Sequence, residues 1–151
     1  MTELRFAVIV RQPPDVVFGV LADIRSYDRW LPESGTFTSV ATISPGPVGL
    51  GTTYTEGGPL TVMRGEVTDY APPDSIAFVQ HLRIPLLPGS FTIQVKYRLR
   101  VVDLDTVLER TVTVHAEGSL RLLQPIMVMT IRRESWRTLR ALQRHLATRP
   151  A

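Results

Sequence analysis

The chain has 151 residues, 44% of them hydrophobic, with 17 basic and 14 acidic residues and no cysteine. This length predicts a single domain, 1–151, whose core is large enough to need no disulfide or metal staple. The lack of cysteine excludes thiol nucleophiles, cysteine-ligated zinc and iron–sulfur clusters, and it is typical of a reducing compartment, so we expect a cytoplasmic protein. The N-terminus has no signal-peptide pattern, and no apolar run approaches the ~20 residues that a membrane-spanning helix needs.

The first part of the chain predicts one strand followed by two short helices. Apolar and polar residues alternate over 4–11, as in a strand buried on one face. A proline pair at positions 13 and 14 then opens a helix, because proline is tolerated in the first helical turn. A second short helix or turn, 26–31, ends at Pro32.

Six further strands are separated by short turns rich in glycine, proline or aspartate. We place them near 36–43, 52–56, 60–70, 76–82, 91–102 and 107–117. The alternation is clearest in 91–102, where apolar residues from Phe91 to Val101 face one side and polar residues face the other. Sequential strands joined by short turns predict an antiparallel meander.

The last element, 119–148, is predicted to be one long helix. Its first half is apolar nearly all round, so we expect it to be covered on all sides. Its second half carries a stripe at helical spacing, Trp136, Leu139, Leu142 and Leu146, which we expect to pack against the sheet. The predicted fold is therefore α+β, with a curved antiparallel sheet of about seven strands wrapped around a long C-terminal helix.

The basic residues are unevenly distributed. Seven arginines lie at or after position 121, against one acidic residue, Glu134. Two interpretations stay open: the solvated face of an amphipathic helix, or a surface that contacts anionic lipid at the membrane periphery or an acidic protein. Nucleic acid is not an expected partner, because no helix-turn-helix, zinc-finger or aromatic RNA-binding pattern accompanies the charge.

Turn-forming and helix-packing residues with a recognisable order are spread over nearly the whole chain. They are Val10, Pro13-Pro14, Val17-Phe18, Leu21, Asp23, Tyr27, Trp30-Leu31-Pro32, Gly49-Leu50-Gly51-Thr52 and Tyr70-Ala71-Pro72-Pro73. With the terminal amphipathic helix, this set resembles the polyketide cyclase/dehydrase group of the START-like (SRPBCC), helix-grip superfamily. The resemblance implies a deep cavity between the sheet and the long helix. Members of the superfamily bind or transport hydrophobic molecules, catalyse cyclisation or dehydration, or regulate protein partners, and the fold does not choose among these activities.

Arg110 is the least ordinary residue of the predicted sheet. It shares the alternation of Leu108 and Val112, which are expected to face inward. A buried arginine needs a partner, because an unpaired buried charge is very costly. Glu66 or Tyr97 can satisfy it structurally, and a bulge can turn it outward. Alternatively, Arg110 binds a carbonyl or enolate oxygen of a ligand.

The residues expected to line a ligand cavity share an inward position or lie on the apolar half of the long helix. Each of them also fits ordinary core packing, and Met63 and Met129 are further candidates for an adaptable apolar wall. The predicted ligand-binding residues are Trp30, Phe37, Tyr54, Phe78, Phe91, Val95, Tyr97, Arg110, Met127 and Ile131.

Groups for catalysis are few. His81 is expected to end a strand at the cavity mouth, where it could move a proton while Arg110 and Tyr97 polarise a carbonyl. His115 is expected to face outward, and His145 to lie on the solvated side of the long helix. The sequence has no metal-ligand spacing, nucleophile elbow, phosphate loop or dinucleotide fingerprint, so we expect neither a metal nor an organic cofactor.

Three functional classes remain open. The first is a binding module for a hydrophobic, ring-containing small molecule, and the second is a polyketide-type cyclase or dehydratase. The third is a regulator that presents its arginine-rich helix to a protein or membrane. An inward cluster of titratable groups would favour the enzyme. A wholly apolar cavity would favour the binding module, that is, a carrier, and a filled interior would favour the regulator. The chain is expected to be a monomer or a homodimer.

Overall fold

The computed structural model describes residues 1–31, 39–57 and 62–147. Phe37, Thr148 and the first part of the strand expected at 36–43 lie outside these ranges. The helices are α1 (Pro14–Ala22) and α2 (Gln124–Ala147), with 3₁₀ helices at Ile24–Arg29 and Ser119–Leu123. The strands are β1 (Thr2–Val10), β2 (Ser39–Ile43), β3 (Thr53–Gly57), β4 (Val62–Ala71), β5 (Ser75–Arg83), β6 (Gly89–Val102) and β7 (Asp105–Gly118).

The seven strands form one antiparallel sheet in the order β1-β7-β6-β5-β4-β3-β2. The strands β2 to β7 follow one another as a meander, and β1 completes the sheet by pairing with β7. The chain crosses from β1 at one edge to β2 at the other through α1 and the first 3₁₀ helix. This arrangement confirms the predicted α+β, helix-grip fold.

Alternation along the strands gives the sheet an inner and an outer face. Apolar side chains form rows across neighbouring strands, as in the cross-strand row of Val67, Phe78, Val95 and Val112. All four are buried, whereas the residues immediately before and after each of them in its strand are largely polar and more exposed. The inner face therefore forms the core together with α1 and α2.

The second half of α2 packs against this inner face. Leu139, Leu142 and Leu146 are completely buried, as the helical spacing predicts. Trp136 remains partly exposed at the edge of the stripe, where its ring meets Phe6 of β1 edge-on at 5.3 Å between centroids. Burial of this stripe is the main reason that the helix stays on the sheet.

The beginning of the predicted long helix differs from the expectation. Residues 119–123 form a 3₁₀ helix before α2, and the apolar half is not covered on all sides. Leu120 is completely buried, but Leu122 is 84% exposed, and Ile126 and Met129 are more than half exposed. The prediction of full coverage was wrong, because the sheet contacts only one face of this segment.

Side-chain hydrogen bonds fix the position of α2 along β1. Near the C-terminal end of α2, the Gln12 side chain donates to the Leu146 carbonyl oxygen at 3.0 Å, and the Gln143 side chain donates to the Ile9 carbonyl oxygen at 2.8 Å. At its start, Gln124 donates to the Thr2 hydroxyl at 3.1 Å. Both ends of the helix are thus held against the first strand.

Candidate functional site

A cavity of about 170 Å³ lies between the inner face of the sheet and α2. The first 3₁₀ helix contributes to its wall through Ile24 and Tyr27. A cavity of roughly 150 Å³ suffices to bind benzene, so this space accommodates one aromatic ring with short substituents. Its apolar wall consists of Ile24, Leu31, Met63, Phe78, Leu82, Ile93, Val95, Val112, Met127 and Ile131.

The same wall carries an equal number of polar side chains. They come from the 3₁₀ helix, from four strands and from α2, so the cavity is neither wholly apolar nor filled. They are Tyr27, Tyr54, Glu56, Gln80, Tyr97, Arg110, Thr130, Glu134, Arg137 and Thr138.

Arg110 is held in the cavity wall by neighbours on β6 and α2. Its Nε donates to the Ser135 hydroxyl of α2 at 3.1 Å, and its Nη1 donates to the hydroxyl of Tyr97, the residue directly opposite on β6. The guanidinium carbon lies 5.3 Å from the centre of the Tyr97 ring. These contacts orient a cation toward the cavity, where it can bind a carbonyl or carboxylate oxygen.

Glu56 is a buried carboxyl in the same cavity, with only 9% of its surface exposed. Burial raises its pKa from 4.5 to about 7, and the positive charge of Arg110 opposes this shift. Among the described residues, none donates a hydrogen bond to this carboxyl. Near neutral pH the carboxyl therefore exists in both protonation states and can accept or release a proton.

Two tyrosines supply neutral hydroxyl groups beside Glu56. Burial is the largest cause that raises the pKa of Tyr54, and the same cause raises that of Tyr27. Gln80 donates to the Tyr54 hydroxyl oxygen at 2.9 Å, and the Tyr27 hydroxyl donates to the Leu21 carbonyl oxygen. Both hydroxyls therefore stay protonated at ordinary pH.

The helix side of the cavity carries an ion pair. Glu134 accepts two hydrogen bonds through Oε2 from Arg137, at 3.0 Å from Nε and 2.7 Å from Nη2. Both side chains are 25% exposed, so the pair lies toward solvent. Among the described charged side chains that line the cavity, Arg110 is the one whose charge acts on the Glu56 carboxyl.

The structure brings seven of the predicted ligand-binding residues into this wall, and contact with a ligand stays a prediction for each of them. Apolar and polar side chains are both represented, and they come from four strands and α2. They are Tyr54, Phe78, Val95, Tyr97, Arg110, Met127 and Ile131.

Other predicted wall residues lie elsewhere. Phe91 is completely buried in the core, and Met129 faces away from the cavity because it lies two residues after Met127 on the helix. Trp30 is buried behind the wall, with its ring 5.2 Å from that of Tyr27. Phe37 lies outside the described residues.

Trp30 instead borders another pocket, beside α1. Its ring stacks on His145 at 6.4 Å between centroids, so this histidine is half-buried, contrary to the expected solvated position. Among the described residues, the Trp30 indole nitrogen has no hydrogen-bond partner.

His81 and Glu66 do not reach the cavity. His81 is exposed on the outer face of β5, with Nδ1 3.4 Å from the Thr92 hydroxyl, because the alternation points Gln80 and Leu82 inward. The expectation of a proton-moving histidine at the cavity mouth was therefore wrong. Glu66 is likewise exposed on the outer face, so it is not the partner of Arg110.

Glu56 was not predicted from the sequence to line the cavity. The signal was available, since Tyr54 was expected to face inward and Glu56 lies two residues later in the same strand. Tyr27 and Gln80 were not predicted either, and Tyr27 lies in the first 3₁₀ helix, where no strand-like alternation marks an inward side. Gln80 follows the same inward alternation as Phe78.

The sequence profile of a family described as "Polyketide cyclase / dehydrase and lipid transport" matches residues 1–147. The chain belongs to this family. No curated protein sequence matches the chain significantly. Within the described ranges, no helix has the length and hydrophobicity to cross a membrane, and no group of three or more acidic or histidine side chains could hold a metal ion.

Solved structures show the same fold at low sequence identity. A conserved protein from Geobacillus kaustophilus is 15% identical with a TM-score of 0.75, and the match covers 97% of this chain and 95% of that protein. Ara h 8.0201 is 14% identical with a TM-score of 0.72, covering 98% and 99%. DynU16, from the dynemicin biosynthetic locus, is 19% identical with a TM-score of 0.66; 97% of this chain matches 47% of that chain.

Proposed function

We propose that this protein binds a hydrophobic, ring-containing small molecule in the cavity between the sheet and α2. The observation that carries the proposal is a cavity of about 170 Å³ with an extensive apolar wall and a cation, Arg110, oriented into it. The family description, which names polyketide chemistry and lipid transport, supports a hydrophobic ligand. The open space also argues against a regulator with a filled interior.

A thermal-shift screen tests the proposal. The panel contains single-ring ketones and carboxylates, naphthoquinones and fatty acids. A ligand at a hundred times its dissociation constant stabilises the fold by about 2.7 kcal/mol. We expect the single-ring ketones and carboxylates to bind because they fit the volume and supply an acceptor for Arg110. No binding by any class would contradict the proposal.

Two methionines on α2 locate the binding site. Met127 lies in the cavity wall, whereas Met129 is more than half exposed. Met127→Trp should fill the cavity and weaken binding at least tenfold, while the matched variant Met129→Trp should bind like the wild type. Equal affinities of the two variants would place the ligand elsewhere on the protein.

Arg110→Leu tests the polar anchor. Ligands that carry a carbonyl or carboxylate should lose more affinity than purely apolar ligands of the same size. Arg98→Leu, on the exposed outer face of β6, is the matched control and should leave both kinds of ligand unaffected. An equal loss for both ligand types would show that Arg110 only supports the fold through Tyr97 and Ser135.

A cyclase or dehydratase activity is the second candidate, and Glu56 is the observation that favours it. A carboxyl with a pKa near 7 is suited to proton transfer, and Arg110 and Tyr97 in the same cavity would stabilise the oxyanion of an enolate. The carboxylate would take a proton from the carbon beside a bound carbonyl, and the electron pair would move onto the carbonyl oxygen.

Hydrogen–deuterium exchange separates this enzyme from a pure carrier. A bound aromatic ketone such as phenylacetone should exchange its protons next to the carbonyl in D₂O faster than the free ketone, as followed by NMR. Glu56→Gln should abolish the acceleration, and Glu66→Gln, on the outer face, should retain it. Binding without accelerated exchange would favour the carrier.

A further inference from the structure

Glu56 and Arg110 bring opposite charges into one cavity without contacting each other. In the sheet order, β4, β5 and β6 separate their strands, and curvature of the sheet makes the two side chains face the same space. Among the described residues they form no ion pair within 4.0 Å, yet Arg110 still acts electrostatically on the Glu56 carboxyl. A gap therefore separates a hydrogen-bond acceptor from a hydrogen-bond donor.

Each of the two groups has bonding capacity that its described neighbours do not use. Arg110 donates through Nε and Nη1, which leaves Nη2 without a partner among the described residues. The Glu56 carboxyl accepts no hydrogen bond from them. Because buried polar groups are normally hydrogen-bonded, a ligand that reaches both groups satisfies both.

We infer that the cavity selects a bifunctional ligand, a single ring with an acceptor oxygen for Arg110 and a hydroxyl that donates to Glu56. The ring would lie along the inner face near Phe78 and Val95, which occupy the strands between the two charged residues. This inference rests on the proposed ligand-binding function and specifies the chemical class of the ligand.

The groups around Glu56 set how this selection depends on pH. Tyr27 of the 3₁₀ helix, Tyr54 of β3 and Tyr97 of β6 contribute hydroxyls to the cavity, and Arg110 of β7 contributes a positive charge. Glu134 and Arg137 of α2 also line it as an ion pair. Burial places the Glu56 pKa at about 7, so its charged form, the stronger acceptor, predominates above that pH. Preference for a hydroxyl should therefore rise from pH 5 to pH 8.

Matched ligands provide the test. The probes are 3- and 4-(hydroxymethyl)acetophenone and the nearly isosteric 3- and 4-ethylacetophenone, with dissociation constants measured by calorimetry on the full chain. At pH 8, at least one hydroxymethyl ketone should bind on the order of tenfold more tightly than its ethyl counterpart. This advantage should disappear in Glu56→Leu and persist in Glu66→Leu, the outer-face control. In the wild type it should shrink at pH 5.

Three results would overturn the inference: equal binding of the hydroxymethyl and ethyl ketones in the wild type, an advantage that persists in Glu56→Leu, or an advantage that is the same at pH 5 and pH 8. The pH comparison uses only wild-type protein, so it holds even when the Glu56 variant does not fold. Binding of ethyl ketones alone would contradict the bifunctional ligand but leave the proposed function intact. Failure of every ligand in the wider screen would contradict both.

Discussion

The ring of Tyr54 occupies the space that a side chain at residue 65 would fill. Gly65 is the direct cross-strand neighbour of Tyr54, and a Cβ atom on it would lie 2.2 Å from Tyr54 Cζ. The missing side chain lets the ring lie across β4 and bring its hydroxyl within 2.9 Å of Gln80 on β5. A glycine on the inner face of a strand thus shapes one end of the cavity.

Gly65→Ala should displace the Tyr54 ring and lower the free energy of unfolding by about 1–3 kcal/mol, the usual cost of overpacking. Chemical denaturation measures the loss. Gly19→Ala is the control: no atom lies within 4 Å of a Cβ at this exposed position of α1, so alanine should stabilise the helix by about 0.5–1 kcal/mol. Adding Tyr54→Leu to Gly65→Ala should recover part of the loss, and a purely additive double variant would contradict the proposed clash.

Glu56 should make stability fall as pH rises. Its pKa is about 7 in the folded protein and 4.5 as an ordinary carboxyl, so between these values the folded state holds the proton more tightly than the unfolded chain does. The stability that the folded state gains by holding this proton is fully present below pH 4.5 and is lost as pH rises through 7. The total loss in the free energy of unfolding is about 3 kcal/mol.

Denaturation curves of the wild type and Glu56→Gln between pH 4.5 and pH 8 measure this contribution. As pH increases, the free energy of unfolding of Glu56→Gln should rise relative to that of the wild type, because glutamine carries no charge to bury. Glu66→Gln should show no such trend, since Glu66 is exposed. A difference that stays constant with pH would show that the Glu56 carboxyl is not buried.

Two leucines near and on α2 should respond very differently to truncation. Leu139 is completely buried, so Leu139→Ala should cost about 2–5 kcal/mol of unfolding free energy. Leu122, at 84% exposure just before the helix, should change it by less than about 0.5 kcal/mol when replaced by alanine. Urea denaturation provides both values, and similar costs at the two sites would contradict the packing of the helix.

Gln12 should hold the last turn of α2. Gln12→Leu removes the donor to the Leu146 carbonyl oxygen and should cost about 1–3 kcal/mol, since Gln12 is buried. Amide hydrogen exchange should accelerate in the last turn of the helix. Gln143→Leu is the comparison: its hydrogen bond to the Ile9 carbonyl oxygen is exposed, and its loss should cost less. If Gln143→Leu lowered the free energy of unfolding more than Gln12→Leu does, Gln12 would not be the residue that holds the last turn of α2.

Local periodicity in the sequence determined the architecture of this protein. Alternation over 91–102 and the helical spacing of Leu139, Leu142 and Leu146 specify which side of each element is apolar. Once short turns order the strands, burial of those sides leaves few arrangements besides a sheet around the last helix. The same alternation extended to β3 would also have identified Glu56.

Only the tertiary structure decided which of these residues line the same cavity. Glu56 and Arg110 belong to strands separated by three others, and curvature of the whole sheet brings them to one cavity. The sequence also did not determine which residues just before α2 are buried. Leu120 and Leu122 look alike in the sequence, but of the two only Leu120 is buried. Periodicity is a property of neighbouring residues and fixes the direction of a side chain, whereas the partner that it reaches depends on the path of distant segments in space.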